Sequence, residues 1–180
     1  MSESRRPHAL VVYESMFGNT ALAAAAIADS LERHGVSVRR MEAGDASEVI
    51  PEDLDLIVIG APTHAFGLSR PSTRAEAVRQ GAEAGKAGPG VREWLVKMHT
   101  SPRCHTLAAT FDTRISKAAW FPSAAGPTIN RLARRAGLHP CGRPLKLRVA
   151  DTKGPLLDGE LERAERFGEQ LAERCRTQHG

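Results

Sequence analysis

Residues 9–20 read Ala9-Leu10-Val11-Val12-Tyr13-Glu14-Ser15-Met16-Phe17-Gly18-Asn19-Thr20, and an alanine-rich stretch follows at once. Five consecutive apolar residues of strand length run into a turn of small polar residues. Beyond it, Ala23, Ile27, Leu31 and His34 recur on one helical face, and Gly35 stands where the helix should stop. A strand, a tight turn and a helix in this order begin a βαβ unit. The turn sets a helix N-terminus, with unpaired N–H groups and a partial positive charge, over the end of a buried strand. That is a ready site for a phosphate. Ser15, Asn19 and Thr20 carry side-chain donors, Met16 and Phe17 lie within the turn, and Gly18 lets the backbone close on an anion. Any one of these residues alone fits a plain helix cap; their combination points to a phosphate cradle. The turn contains no lysine or arginine, which argues against the G-x-x-x-x-G-K-[ST] loop of nucleoside triphosphatases. Its single glycine argues against the dinucleotide fingerprint G-x-G-x-x-G.

The same alternation extends outward. Strand patterns fall at 36–41, 54–59, 105–111 and 145–150, and helical patterns at 19–34, 91–99, 128–137 and from about 158. The last helix should turn Leu161, Ala164, Gly168, Leu171 and Cys175 inward. Between Thr63 and Gly90 lies a long stretch in which Thr73-Arg74-Ala75-Glu76 reads as a capping box, predicting a short helix to about residue 80. Five strands with crossover helices predict an α/β three-layer sandwich with a doubly wound parallel sheet of order 2-1-3-4-5. We expect a polar tail over 1–7 and one domain over 8–177, with an insertion around 65–90. Such sheets bind ligands at the carboxyl ends of their strands, where the winding direction switches. The chemistry should therefore sit in the turns after Tyr13, Ile59 and Phe111.

Composition narrows the classes. The chain has 180 residues, 41% hydrophobic and 26% charged, an ordinary globular mixture. No apolar run approaches the roughly 20 residues of a membrane-spanning helix, and the N-terminus lacks the pattern of a signal peptide. Cys104, Cys141 and Cys175 are far apart and form no C-x-x-C pair, the pattern of reduced thiols in the cytoplasm rather than disulfides or a zinc site. The formal charge is +4, but its arginines are spread over several segments and few aromatics accompany them, so nucleic-acid binding ranks below a solvated surface.

The stretch Val11-Val12-Tyr13-Glu14-Ser15-Met16-Phe17-Gly18-Asn19-Thr20 resembles the opening of flavodoxin-like domains, whose phosphate loop holds FMN. Ser15, Gly18, Asn19 and Thr20 match that loop directly. Phe17 departs from the hydroxyl residue common there and is similar to the flavodoxin-like quinone reductases. Gly60-Ala61-Pro62-Thr63-His64-Ala65-Phe66-Gly67 is similar to the family's turn beside the flavin ring. The resemblance implies that Pro62, Thr63, His64 and Phe66 border the ring and that the Gly67 region supplies a mobile peptide. It also implies that Thr110, Phe111, Asp112 and Thr113, after strand 4, face the ring's pyrimidine edge. Asp112 in that place would disfavour an anionic reduced flavin, unless it pairs with Arg114. Trp120 and Phe121 are candidates to cover the flavin or to pack under the next helix.

The resemblance thus implies an FMN-binding electron-transfer protein with a redox partner protein. An NAD(P)H-dependent quinone or nitro-compound reductase remains open, favoured by Phe17 and by Arg70, Arg74 and Arg79 on the insertion. A flavin-free interaction domain of the same fold also remains open. Family members that act as small shuttles are typically acidic; this chain is basic. No residue is placed to act as a nucleophile or a general acid.

Overall fold

The computed structural model describes residues 5–64, 67–118 and 124–178 as a succession of strands and helices. In chain order they are β1 (His8–Tyr13), α1 (Asn19–Arg33), β2 (Ser37–Glu42), β3 (Leu56–Pro62), α2 (Pro71–Arg79) and α3 (Val91–Lys97). Then come β4 (Leu107–Ile115), α4 (Ala125–Arg135), β5 (His139–Pro140), β6 (Leu145–Val149) and α5 (Glu160–Gln178). The strands are parallel in the order β2-β1-β3-β4, and β5 and β6 share the fifth position because both pair with β4. The expected order 2-1-3-4-5 is therefore the one found, with its last strand broken over residues 141–144. No helix among the described residues is long and apolar enough to cross a membrane.

Both sheet faces are covered, which is why β1 and β3 read as near-continuous apolar runs. On one face Val11, Val58, Ala109, Phe111 and Leu147 meet Ile27 and Leu31 of α1 and Leu171 of α5. On the other, Leu10, Val12, Ile57 and Ile59 meet Trp94 and Leu95 of α3 and Ile129 of α4. The alanines of α1 allow a close approach of α5. At Gly168 an added Cβ would lie 2.7 Å from the Ile27 carbonyl oxygen, and the Ser30 hydroxyl donates to the Glu165 carbonyl at 2.7 Å. The inward position at the start of α5 belongs to Glu160, 1% exposed and held by Arg148 and Arg163. Leu161, one residue further round the helix, is 39% exposed rather than facing inward.

Two strands run further than their apolar stretches suggest. β3 continues through Gly60 and Ala61 to Pro62, and β4 continues past Phe111 to Ile115. Their register pairs Gly60 with Phe111, Ala61 with Asp112 and Pro62 with Thr113. The Phe111 ring lies on the Gly60 backbone so closely that a Cβ there would be 2.0 Å from it. The polar residues that follow can stay in the strand because, once buried, each finds a partner.

Candidate functional site

The turn between β1 and α1 is a helix cap built from neutral groups. Gly18 precedes the helix in the left-handed region at φ 89°, a conformation that favours glycine. The Ser15 hydroxyl oxygen accepts from the amides of Gly18 at 3.1 Å and Ala21 at 3.2 Å. The amides of Met16, Phe17, Asn19 and Thr20 have no protein acceptor among the described residues. The Thr20 hydroxyl is buried and lies 2.8 Å from that of Thr113 at the end of β4, joining the turn to the sheet. The Asn19 side-chain amide donates to the Lys153 carbonyl at 3.2 Å, and the Lys153 ammonium sits 6.0 Å from the centre of the Phe17 ring. A cation missing from the turn itself thus arrives from the link between β6 and α5.

This turn and the ends of β3 and β4 enclose a cleft of about 310 Å³. Of the residues singled out in the sequence, Ser15, Met16, Phe17, Asn19, Thr20, Pro62, Thr63, His64 and Thr113 line it. Gly18 shapes its rim as the cap of α1. Phe66, Trp120 and Phe121 lie outside the described residues. Thr110, Phe111 and Asp112 do not line the cleft. Thr110 is buried and donates to the Asn130 side-chain oxygen at 2.9 Å, and Phe111 is fully buried over Gly60. Asp112 is fully buried, accepts a forked pair of bonds from Arg114 at 2.7 Å each, and accepts the Gly126 amide at 3.1 Å. The reason is the longer strand: with β4 ending at Ile115, the residues that reach the cleft are Thr113, Arg114 and Ile115. Burial pushes the Asp112 carboxyl above its ordinary value, while the Arg114 guanidinium opposes that shift.

The segment between β3 and α3 lines the cleft and is fastened down. Thr73, Glu76, Ala77 and Gln80 of α2 line the cleft from above. Met16 packs with Ala77 and Ala82, with Phe17 and Val78 alongside. Thr73 lies inside the first turn of α2, where its hydroxyl accepts the Arg70 amide at 2.9 Å, so the helix starts two residues before the expected cap. Arg74 is 2% exposed and holds the Ser69 hydroxyl at 2.8 Å and Glu93 at 3.1 Å. Glu14, equally internal, accepts the Val91 amide at the start of α3 at 3.0 Å. Arg79 pairs with Glu76 on its own helix. His64 and Gly67 exchange two backbone bonds of 2.8 Å. Burial lowers the His64 pKa; nearby Glu14 works against that shift and Arg74 with it.

Sequence reasoning missed Arg114, Ile115, Val149, Thr152 and the α2 residues as cleft walls. Only the true end of β4 and the return of the chain after β6 bring them there, and no local pattern carries that information.

The sequence model of the flavodoxin family matches residues 11–89. No curated protein sequence matches the chain. Among solved structures, a flavodoxin from the domain Archaea aligns over 94% of this chain and 99% of its own, at 19% identity and a TM-score of 0.61. Oxidised flavodoxin 2 from Bacillus cereus aligns over 93% and 99%, at 19% identity and a TM-score of 0.64. The rubredoxin oxygen:oxidoreductase of Desulfovibrio gigas aligns over 96% of this chain but 37% of its own, at 15% identity and a TM-score of 0.63. These likenesses concern the fold, and with the family match over residues 11–89 they agree on one assignment: the chain has a flavodoxin-like fold.

Proposed function

We propose that the chain binds FMN in the cleft after β1, β3 and β4 and serves as an electron-transfer protein. The observation that carries this reading is the group of free amides at Met16, Phe17, Asn19 and Thr20 on the N-terminus of α1, at the switch point of the sheet. The residues present fit the cofactor. Backbone N–H groups and the Ser15 and Thr20 hydroxyls are donors for a phosphate monoester, and Lys153 adds a positive charge close by. Pro62, Thr63 and His64 form a wall at the end of β3, and the volume lies at the low end of the roughly 300–1,000 Å³ usual for small-molecule sites. FMN would supply the redox chemistry when bound. The protein's part is to hold it, to shield it beneath α2 and to set its electrostatic surroundings.

The structure weakens the motive for the reductase reading. Of the three arginines that could meet a nicotinamide cofactor's phosphates, Arg74 and Arg79 are paired with Glu93 and Glu76, and Arg70 is exposed. A redox partner protein is then the natural source or sink of electrons. The test is the visible absorption spectrum and calorimetry of the purified protein with added FMN. We expect a yellow protein or stoichiometric uptake, weakened about tenfold or more in Thr20→Val, in line with the ~1–3 kcal/mol cost of losing a buried hydrogen-bond partner. No uptake of FMN by the folded protein would end this reading.

A further inference from the structure

Between Ser15 and Thr20 the β1–α1 turn offers an anion only neutral groups. The first turn of α1 carries no acidic residue to offset the positive end of its helix dipole. Phe17 lies in the middle of this turn, and its side chain has no donor to give. Whatever charge meets an anion here comes from another part of the chain.

The link between β6 and α5 is pressed onto the turn and brings Lys153 with it. The Asn19 side-chain amide donates to the Lys153 carbonyl at 3.2 Å, and a Cβ on Gly154 would run into the Asn19 side chain. Gly154 stands at φ 96°, in the left-handed region that glycine takes without strain. The Thr152 amide donates to the Asp151 carboxylate at 2.7 Å and the Gly154 amide to the Asp151 carbonyl at 2.9 Å, so the link forms a tight turn of its own. These bonds fix the backbone of Lys153 beside the N-terminus of α1. Its side chain then crosses Phe17. The ammonium lies 6.0 Å from the ring centre and 3.7 Å from where a Cβ on Gly81, just past α2, would stand. Phe17 and the C-terminal end of α2 seat the ammonium, one through its ring and the other through its helix dipole. Thr152, Phe17 and Gln80, the neighbours of this crossing, all line the cleft.

We infer that Lys153, seated by Phe17, is the counter-ion of the FMN phosphate and sets a preference of the site for FMN over riboflavin. The inference rests on the FMN reading for the ligand, and on the geometry of the link for the place of the lysine. A phosphate monoester is largely a dianion at neutral pH, whereas riboflavin ends in an uncharged alcohol at the same point, so a cation here favours the first. Phe17 then exchanges one kind of recognition for another. The turn gives up a side-chain donor and gains a ring that holds a positive charge across the cleft's edge. The tie between the link and α1 does not need the ammonium, because it runs through the Lys153 carbonyl and Gly154.

The test is calorimetry with FMN and with riboflavin at low and high salt, on the wild type, Lys153→Met, Lys153→Arg, Phe17→Leu and Phe17→Leu/Lys153→Met. At low salt Lys153→Met should bind FMN about fivefold more weakly, with riboflavin changed less than about twofold. The wild type should lose most of that advantage at high salt, where exposed charges are screened, and Lys153→Arg should keep it at low salt. Adding Lys153→Met to Phe17→Leu should cost less than in the wild type, because the ring no longer seats the ammonium. Equal losses of FMN and riboflavin in Lys153→Met would show a structural role for the lysine and overturn the inference. An FMN affinity unchanged from the wild type's would overturn it too, while leaving the FMN reading intact. An undiminished cost of Lys153→Met in the Phe17→Leu background would overturn the role given to Phe17. A folded wild type that takes up no FMN ends the FMN reading and this inference with it. Circular dichroism before each titration confirms that the variants are folded.

Discussion

The cleft has two rims of opposite character. At the β1–α1 turn the groups are neutral, short-range and partly idle: free amides, a serine hydroxyl capping its own helix, a glycine at positive φ. At the end of β4 the groups are charged, buried and fully engaged, with Asp112 gripped by Arg114 and by the Gly126 amide. The first rim leaves its amide donors free, and the second holds the sheet and α4 together. Loss of a group should therefore be felt as lost ligand binding at one rim and as lost fold stability at the other.

The largest effect should come from splitting the charged rim. Asp112→Asn leaves the Arg114 guanidinium buried without its counter-charge, and we expect about 3–5 kcal/mol lower unfolding free energy in urea titration. Asp112→Leu combined with Arg114→Met, which removes both charges, should recover most of that loss. If the single change costs under about 1 kcal/mol, the β4 end is not the structural rim described here.

At the neutral rim the corresponding change is Ser15→Ala. It removes the acceptor for the Gly18 and Ala21 amides, and the loss of stability should be near 1 kcal/mol, the usual cost of an N-terminal cap. FMN affinity should fall by more than this stability change can explain, since one donor to the phosphate goes with it. Equal losses in urea titration and calorimetry would show Ser15 to be a cap and nothing else.

The two rims also differ in how far the sequence revealed them. The β1–α1 turn was legible as a helix start because its information is local: an apolar strand, one glycine and three polar side chains adjoin it. The sheet order followed from alternation alone. The end of β4 was not legible, because polarity was taken to end the strand at Phe111. A strand ends where its neighbour stops pairing, and β3 continues alongside as far as Pro62. The polar residues Asp112 and Thr113 are tolerated within it because Arg114, two residues along the same strand, and Gly126 and Thr20, brought from elsewhere, meet them. The arginines of α2 misled for a similar reason. Arg74 reads as a surface charge until α3 brings Glu93 against it.

The smallest effect falls between the rims, at His64. Burial holds its pKa below the ordinary value of 6.5, so the folded protein resists a proton that the unfolded chain accepts. As pH falls through 6.5 toward the folded value, the unfolded state binds more protons and stability declines. The slope from this one group is at most about 1.4 kcal/mol per pH unit, and above 6.5 it contributes none. Urea midpoints at pH 7.5, 6.5 and 5.5 should show that decline in the wild type and a shallower one in His64→Gln. Bound FMN should steepen it if His64 packs against the ring, because the cofactor would exclude water from the imidazole and raise the cost of charging it. An identical pH profile with and without FMN would place His64 with the structural groups of the β4 rim rather than with the free groups of the β1–α1 turn.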